Sequence, residues 1–218
     1  MPNWCSNNLT IRGDETKISD LISRVTKTDD NGNVYYDILG SLLPTPKDLQ
    51  ETMAGGYGRN EDGTKKPEQV ELEAKHKANI ANYGHRDWYD WNVANWGTKW
   101  GDSDTHIVGQ YADMVAFVFE TAWSPPETGI ANISKLFPEL SFVITYSEEG
   151  MDFYGATAFR DGEHTEAGGE VSHIEGWKQP DYDDDGWEDT QDRNQELLDD
   201  ALDEARTNAE QLLEGVEA

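Results

Sequence analysis

The chain has 218 residues, a length that suits one domain or one domain with an appendage. Its 17 basic and 44 acidic residues leave a net charge of −27, which repels nucleic-acid phosphates and anionic membranes; a basic protein or a cation is the expected partner, with no direct nucleic acid and no membrane. Apolar residues make up only 36%, but 8 Trp, 9 Tyr and 6 Phe bring enough large side chains for a packed core, which disordered chains lack.

Cys5 is the single cysteine, so no intrachain disulfide is possible. No run of 18 apolar residues occurs, and the N-terminus lacks a basic region followed by an apolar stretch. These features are those of a protein expected in the cytoplasm.

Taken in chain order, Asn8 to Arg12 alternates apolar and polar and reads as a strand. Asp14 suits a helix N-cap, and Ile18, Leu21, Ile22 and Val25 then repeat at helical spacing, to about Lys27. Asp29 to Gly32 is a turn, and Val34 to Leu39 reads as a second strand ended by Pro44 and Pro46. Residues 47–80 are polar and helical in pieces, broken at Gly55, Gly56 and Gly58. Met114 to Thr121 is a strand, Pro125 and Pro126 precede a helix carrying Ile130, Ile133, Leu136 and Phe137, and Leu140 to Tyr146 and Met151 to Phe159 are strands around a turn at Glu149 and Gly150. Val171 to Ile174 is one more short strand candidate.

This order predicts an α+β fold: a ferredoxin-like antiparallel sheet with helices on one face, a helical insertion at about 47–100, and an acidic C-terminal loop plus helix. The expected division is a core over 1–178 and an acidic tail over 179–218.

Several segments carry a resemblance: Met1 to Asn7 (MPNWCSN), Tyr83 to Trp91 (YGHRDWYDW), Asn95 to Trp100 (NWGTKW), Thr121 to Pro126 (TAWSPP) and Tyr146 to Gly150 (YSEEG). Together they resemble a family of phage and plasmid proteins with a ferredoxin-like domain, typified by the plasmid protein YubB. The resemblance spans roughly residues 1–178. It implies a mobile-element origin and the same fold, and it carries over no catalytic residue.

Tyr83, Trp88, Tyr89, Trp91, Trp96 and Trp100 crowd one segment, interleaved with Arg86 and Lys99. Trp88, Trp91, Trp96 and Trp100 are suited to stacking a base or sugar, and Arg86 and Lys99 to holding a phosphate, which makes a nucleotide or sugar site one expectation. Core packing is the plainer account, with Trp4 and Trp123 joining the same cluster.

Among candidate catalysts, Glu148 and Glu149 are adjacent and point to opposite faces of a strand, a poor acid–base pair. His164 and His173 with Glu163, Glu166 and Glu170 match no defended zinc spacing. There is no phosphate loop, nucleophile elbow or paired-cysteine motif, so an enzyme is the less favoured class.

The last 40 residues hold 15 acids and 2 bases, about half of the net charge. Asp181, Asp183, Asp185, Asp189 and Asp192 stand at positions 1, 3, 5, 9 and 12 of an EF-hand-type loop, with Gly186 at 6 and the Trp187 carbonyl at 7, so calcium is the cofactor to consider. Position 12 is not Glu, and Pro180 replaces an entering helix. A helix is expected from about Arg193, with an apolar stripe of Leu198, Ala201, Leu202, Ala205, Ala209 and Leu212.

The leading functional expectation is an acidic accessory protein acting by protein–protein interaction. Its partner would be a basic host or defence protein, one that itself binds nucleic acid and is blocked by DNA mimicry. Asp183, Asp184, Asp185, Glu188, Asp189, Asp199, Asp200, Asp203 and Glu204 are the residues expected to meet it.

Overall fold

A computed structural model describes residues 3–179 and 186–216. Its centre is a six-stranded antiparallel sheet. In chain order the elements are β1 (Trp4–Arg12), α1 (Glu15–Val25), β2 (Thr26–Thr28), β3 (Val34–Tyr36), α2 (Ile38–Leu42), α3 (Lys47–Gln50), α4 (Pro67–Tyr83), α5 (Trp88–Trp96), β4 (Ser103–Tyr111), β5 (Met114–Ala122), α6 (Glu127–Leu136), β6 (Ser141–Glu148), β7 (Phe153–Arg160), β8 (Glu163–Gly169) and α7 (Trp187–Val216). The large sheet runs β4-β5-β1-β6-β7-β8, while β2 and β3 form a separate ribbon.

β1, α1, β4, β5, α6 and β6 make one βαββαβ unit, with β7 and β8 added as a meander. The insertion falls between α1 and β4, where residues 47–100 place it.

Strand alternation sets the two faces. Leu9, Ile11, Phe117, Phe119, Phe142, Ile144 and Phe159 face Ile18, Leu21, Ile130, Ile133 and Phe137 of α1 and α6 in the main core. Asp14 caps α1 by accepting from the Thr16 amide. On the opposite face Val143, Ala156 and Ala158 pack against Ala205, Ala209 and Leu213 of α7. The small residues of β7 let the helix approach closely, and the Thr165 hydroxyl donates to the Ala209 carbonyl at 2.7 Å.

The acidic helix is therefore docked on β6, β7 and β8. It starts at Trp187, earlier than Arg193, and its buried stripe ends on Leu213, 6% exposed, while Leu212 is 54% exposed. Leu198, Ala205 and Ala209 of this helix are thereby buried within the chain itself, Ala205 and Ala209 against the sheet.

Two local expectations change, and one strand is new. The strand from Val34 stops at Tyr36, because Asp37 accepts from the Gly40 amide and caps α2. Val171–His173 is a 3₁₀ turn, and the added strand is the polar β8 before it. β4 is an edge strand with two register shifts, so its sequence lacks clean alternation. No helix among the described residues is long and apolar enough to cross a membrane.

Candidate functional site

Because α7 lies over β6, β7 and β8, the same face of β4, β5 and β1 stays open beside it. Pairing aligns two cross-strand rows on this face. One runs Ser103, Glu120, Ser6, Ser147, and the next His106, Val118, Asn8, Thr145. The floor is thus hydroxyl- and amide-rich where the helix is absent, and small and apolar beneath it. Asp199 and Asp203, one turn apart on α7, form the wall.

The resulting groove encloses about 710 Å³ and is lined by five carboxylates: Asp104, Glu120, Glu149, Asp199 and Asp203. Among the described residues its one titratable base is His106, which pairs with Asp104 at 3.1 Å, and no lysine or arginine lines it. Arg206 stands further along a narrower cleft with Asp203 and pairs with Glu210 at 3.6 Å. Such a surface favours a cationic ligand and repels phosphates.

Of the residues expected to meet a partner, Glu188, Asp189, Asp199, Asp200, Asp203 and Glu204 are exposed on α7, and Asp199 and Asp203 enter the groove. Asp183, Asp184 and Asp185 lie outside the described residues, as does Asp181. The calcium reading is therefore seen only in part: Trp187, Asp189 and Asp192 stand on the first two turns of α7, which places the Trp187 carbonyl in the helical ladder. Among the described residues no three of His, Cys, Asp and Glu converge as metal ligands. His164 stacks on Phe159 and His173 pairs with Glu170.

The aromatic segment divides. Trp96 is 7% exposed, donates to the Leu43 carbonyl at 2.9 Å and packs edge-on against Trp91. Trp88 meets Tyr89 edge-on. Arg86 pairs with Asp90 at 2.8 Å and with Asp87 at 3.2 Å, where buried Asp87 caps α5 through the Tyr89 and Asp90 amides. Trp88, Trp91, Trp96 and Arg86 thus make their contacts within the insertion and the loop that leads to it. Gly97 adopts the left-handed φ of 81° that ends α5 and turns the chain toward Lys99 and Trp100.

Trp100 does reach the surface, with Trp4 and Trp123 beside it; their rings lie 6.3 and 5.9 Å from its own. Lys99 Nζ sits 4.4 Å from the Trp100 centroid and 5.5 Å from that of Trp123, so the platform already carries a cation. Cys5 is buried, and that burial pushes its thiol up to about 12.

Sequence reasoning missed Glu120, Asp104, Ser6, Asn8 and Thr145. For all but Asp104, which lies in the irregular β4, the signal was the polar side of the alternation in β1, β5 and β6, which gains meaning only once the strands are neighbours.

The fold and the docked helix define a ferredoxin-like domain. A family model for the ferredoxin-like domain in Api92-like protein matches residues 95–206, from the end of α5 into α7. The chain belongs to this Api92-like family. The crystal structure of protein api92 from Yersinia pseudotuberculosis is similar at 11% identity and a TM-score of 0.46, over 78% of this chain and 98% of that one. No curated protein matches.

Proposed function

We propose that this protein works by binding a basic partner protein, whose cationic segment lies in the groove between α7 and the open β4-β5-β1 half of the sheet. The observation that carries this reading is the groove's lining: among the described residues, five carboxylates and no lysine or arginine. Hydroxyl and amide groups on the floor match a segment rich in N–H donors, as arginine and lysine side chains are.

The exposed acids of α7 continue the field away from the groove. Acids one turn apart on a helix stand about 5.4 Å apart, a sparser row than the one charge per roughly 1.7 Å of duplex DNA but a linear array of the same sign. On that ground the partner is a nucleic-acid-binding host or defence protein, and the chain is a mobile-element accessory protein that occupies its basic site.

The test uses a nona-arginine peptide as probe, titrated by calorimetry at 50 and 500 mM salt. The triple variant Glu120→Gln, Asp199→Asn, Asp203→Asn should weaken binding at least about tenfold and flatten its salt dependence. A control neutralising Glu61, Glu68 and Glu71, outside the groove, should change it less than about twofold. Equal losses in both variants would leave only unspecific attraction to net charge and refute the groove.

A further inference from the structure

A second cavity of about 590 Å³ lies where α6 begins, beside the ends of β6, β7 and β8. It is within the size range of small-molecule sites. The Tyr146 hydroxyl reaches Glu127 of α6, so this cavity opens on the α6 side of the sheet, opposite the acidic groove.

Its walls are aromatic: Trp123, Tyr146 and Phe153, with Tyr146 and Phe153 edge-to-face at 6.2 Å, while Tyr154, packed on the α7 side, borders its margin. Among the described residues two carboxylates, Glu127 and Glu166, share the lining, and no lysine or arginine does. Glu127 is partly buried, and the hydroxyls of Thr157 and Tyr146 both donate to its Oε1, so the second oxygen has no hydrogen-bond partner among the described residues.

Two backbone features shape the cavity. Gly155 lies so close to Tyr146 that a Cβ there would come within 2.8 Å of its hydroxyl. Trp123 holds a φ of 66°, a left-handed conformation rare for a bulky residue, fixed by its amide donating to the Asn3 carbonyl at 3.0 Å. Strain of this kind concentrates at ligand clamps. One face of Trp123 is taken by Trp100, at a 24° interplanar angle, while the residue still borders the cavity.

We propose that this cavity binds a small alkylammonium ligand. The aromatic faces receive its alkyl-substituted charge, and Glu127 and Glu166 supply the counter-charge. An anionic ligand would meet two carboxylates, since Lys99, 5.5 Å from the Trp123 centroid, is not among the described lining residues. A neutral apolar ligand gives no use to the two carboxylates of the lining. A bare metal ion needs several converging ligands, and no three acidic, His or Cys side chains converge among the described residues. The site is separate from the acidic groove, so groove variants should leave it unchanged.

The probe is choline, titrated against the intact chain and followed by tryptophan fluorescence and calorimetry. Saturable binding is expected, with the neutral isostere 3,3-dimethylbutan-1-ol at least about tenfold weaker. Trp123→Ala should abolish the response. Because that position is strained, Glu166→Gln on the exposed edge strand is the second variant, expected to weaken choline about threefold or more with the fold intact by circular dichroism. Equal binding of choline and its isostere, no saturation by choline, or unchanged affinity in Glu166→Gln would each overturn the proposal. A trimethyl-lysine peptide binding more than about tenfold tighter than choline would overturn the free small-molecule source.

Discussion

Asp102 ties the inserted helices to the sheet, and removing its carboxylate should be one of the costlier single changes in the chain. Its two oxygens accept from the Ile38 amide at 2.9 Å, the Leu39 amide at 2.7 Å and the Thr105 hydroxyl at 2.7 Å. The first two are orphan donors at the start of α2, beside buried Ile38 and Leu39. Asp102→Ala leaves all three donors without an acceptor. At about 1 kcal/mol or more for each bond to a charged acceptor, less whatever water recovers, the loss is about 2–4 kcal/mol. For a domain of this size that corresponds to a Tm about 5–12 °C lower.

Asp102→Asn keeps one accepting oxygen and should lose about half as much. Burial holds the Asp102 carboxyl above its ordinary 3.8, despite the donors that pull it down. A raised carboxyl binds its proton more readily folded than unfolded. Its contribution to stability is therefore fully present below 3.8 and is lost as pH rises through the folded value. The stability gap between wild type and Asp102→Asn should accordingly move in the wild type's favour as pH falls from 7 toward 4. Urea melts of the three proteins at pH 7, 5.5 and 4 measure both quantities. A loss under about 1 kcal/mol in Asp102→Ala would show that water replaces the carboxylate and that the insertion is held elsewhere.

Ala209 is fully buried between α7 and β7, so Ala209→Leu should overpack the junction and cost about 1–3 kcal/mol, read by denaturant melts and by faster amide exchange in α7. Unchanged α7 exchange would argue against the docked position. Cys5, with its thiol pushed up to about 12 by burial, carries essentially no thiolate at pH 8. Native protein should resist iodoacetamide for hours and react within minutes once unfolded, and rapid native alkylation would contradict its place in β1.

The sheet was legible because its core strands alternate. Leu9 and Ile11, then Val115, Phe117 and Phe119, mark one face without ambiguity, and Asp14 with Ile18, Leu21 and Val25 marks the helix that covers it. The edges were not legible. β4 and β8 bury few side chains, so Ser103 to Tyr111 and Glu163 to Gly169 show little hydrophobic period, and only pairing with β5 and β7 makes them strands. The acids of α7 were visible as charge, but the groove was not: Glu120 and Asp203 are far apart in sequence and become neighbours only because α7 crosses back over β6. The tryptophans were visible as a group, yet the Leu43 carbonyl that captures the Trp96 indole lies 53 residues away. Composition alone cannot separate Trp96, which is core, from Trp100, which is surface.

The charge on α7 is held against its own repulsion, and this gives salt two opposite effects on one helix. Glu196 and Asp200, Asp200 and Glu204, and Asp199 and Asp203 are like-charged pairs one turn apart on the exposed side. Each such pair disfavours a helix by a few tenths of a kcal/mol. Only Glu188 and Asp189 stand in the first turn, where the helix dipole favours them. What keeps the middle of α7 helical is therefore its docked apolar stripe, chiefly Leu198, Ala205, Ala209 and Leu213. Raising salt from 50 to 500 mM shortens the screening length from about 14 Å to about 4 Å, which relieves the repulsion and leaves the apolar contact intact. Thermal stability and α7 amide protection should rise with salt, and the rise should shrink in Asp200→Asn, Glu204→Gln. The same screening should weaken a basic ligand in the groove. If salt raised both stability and groove affinity, or lowered both, the carboxylates would not be the common cause, and the acidic face would be a solvated surface with no bearing on binding.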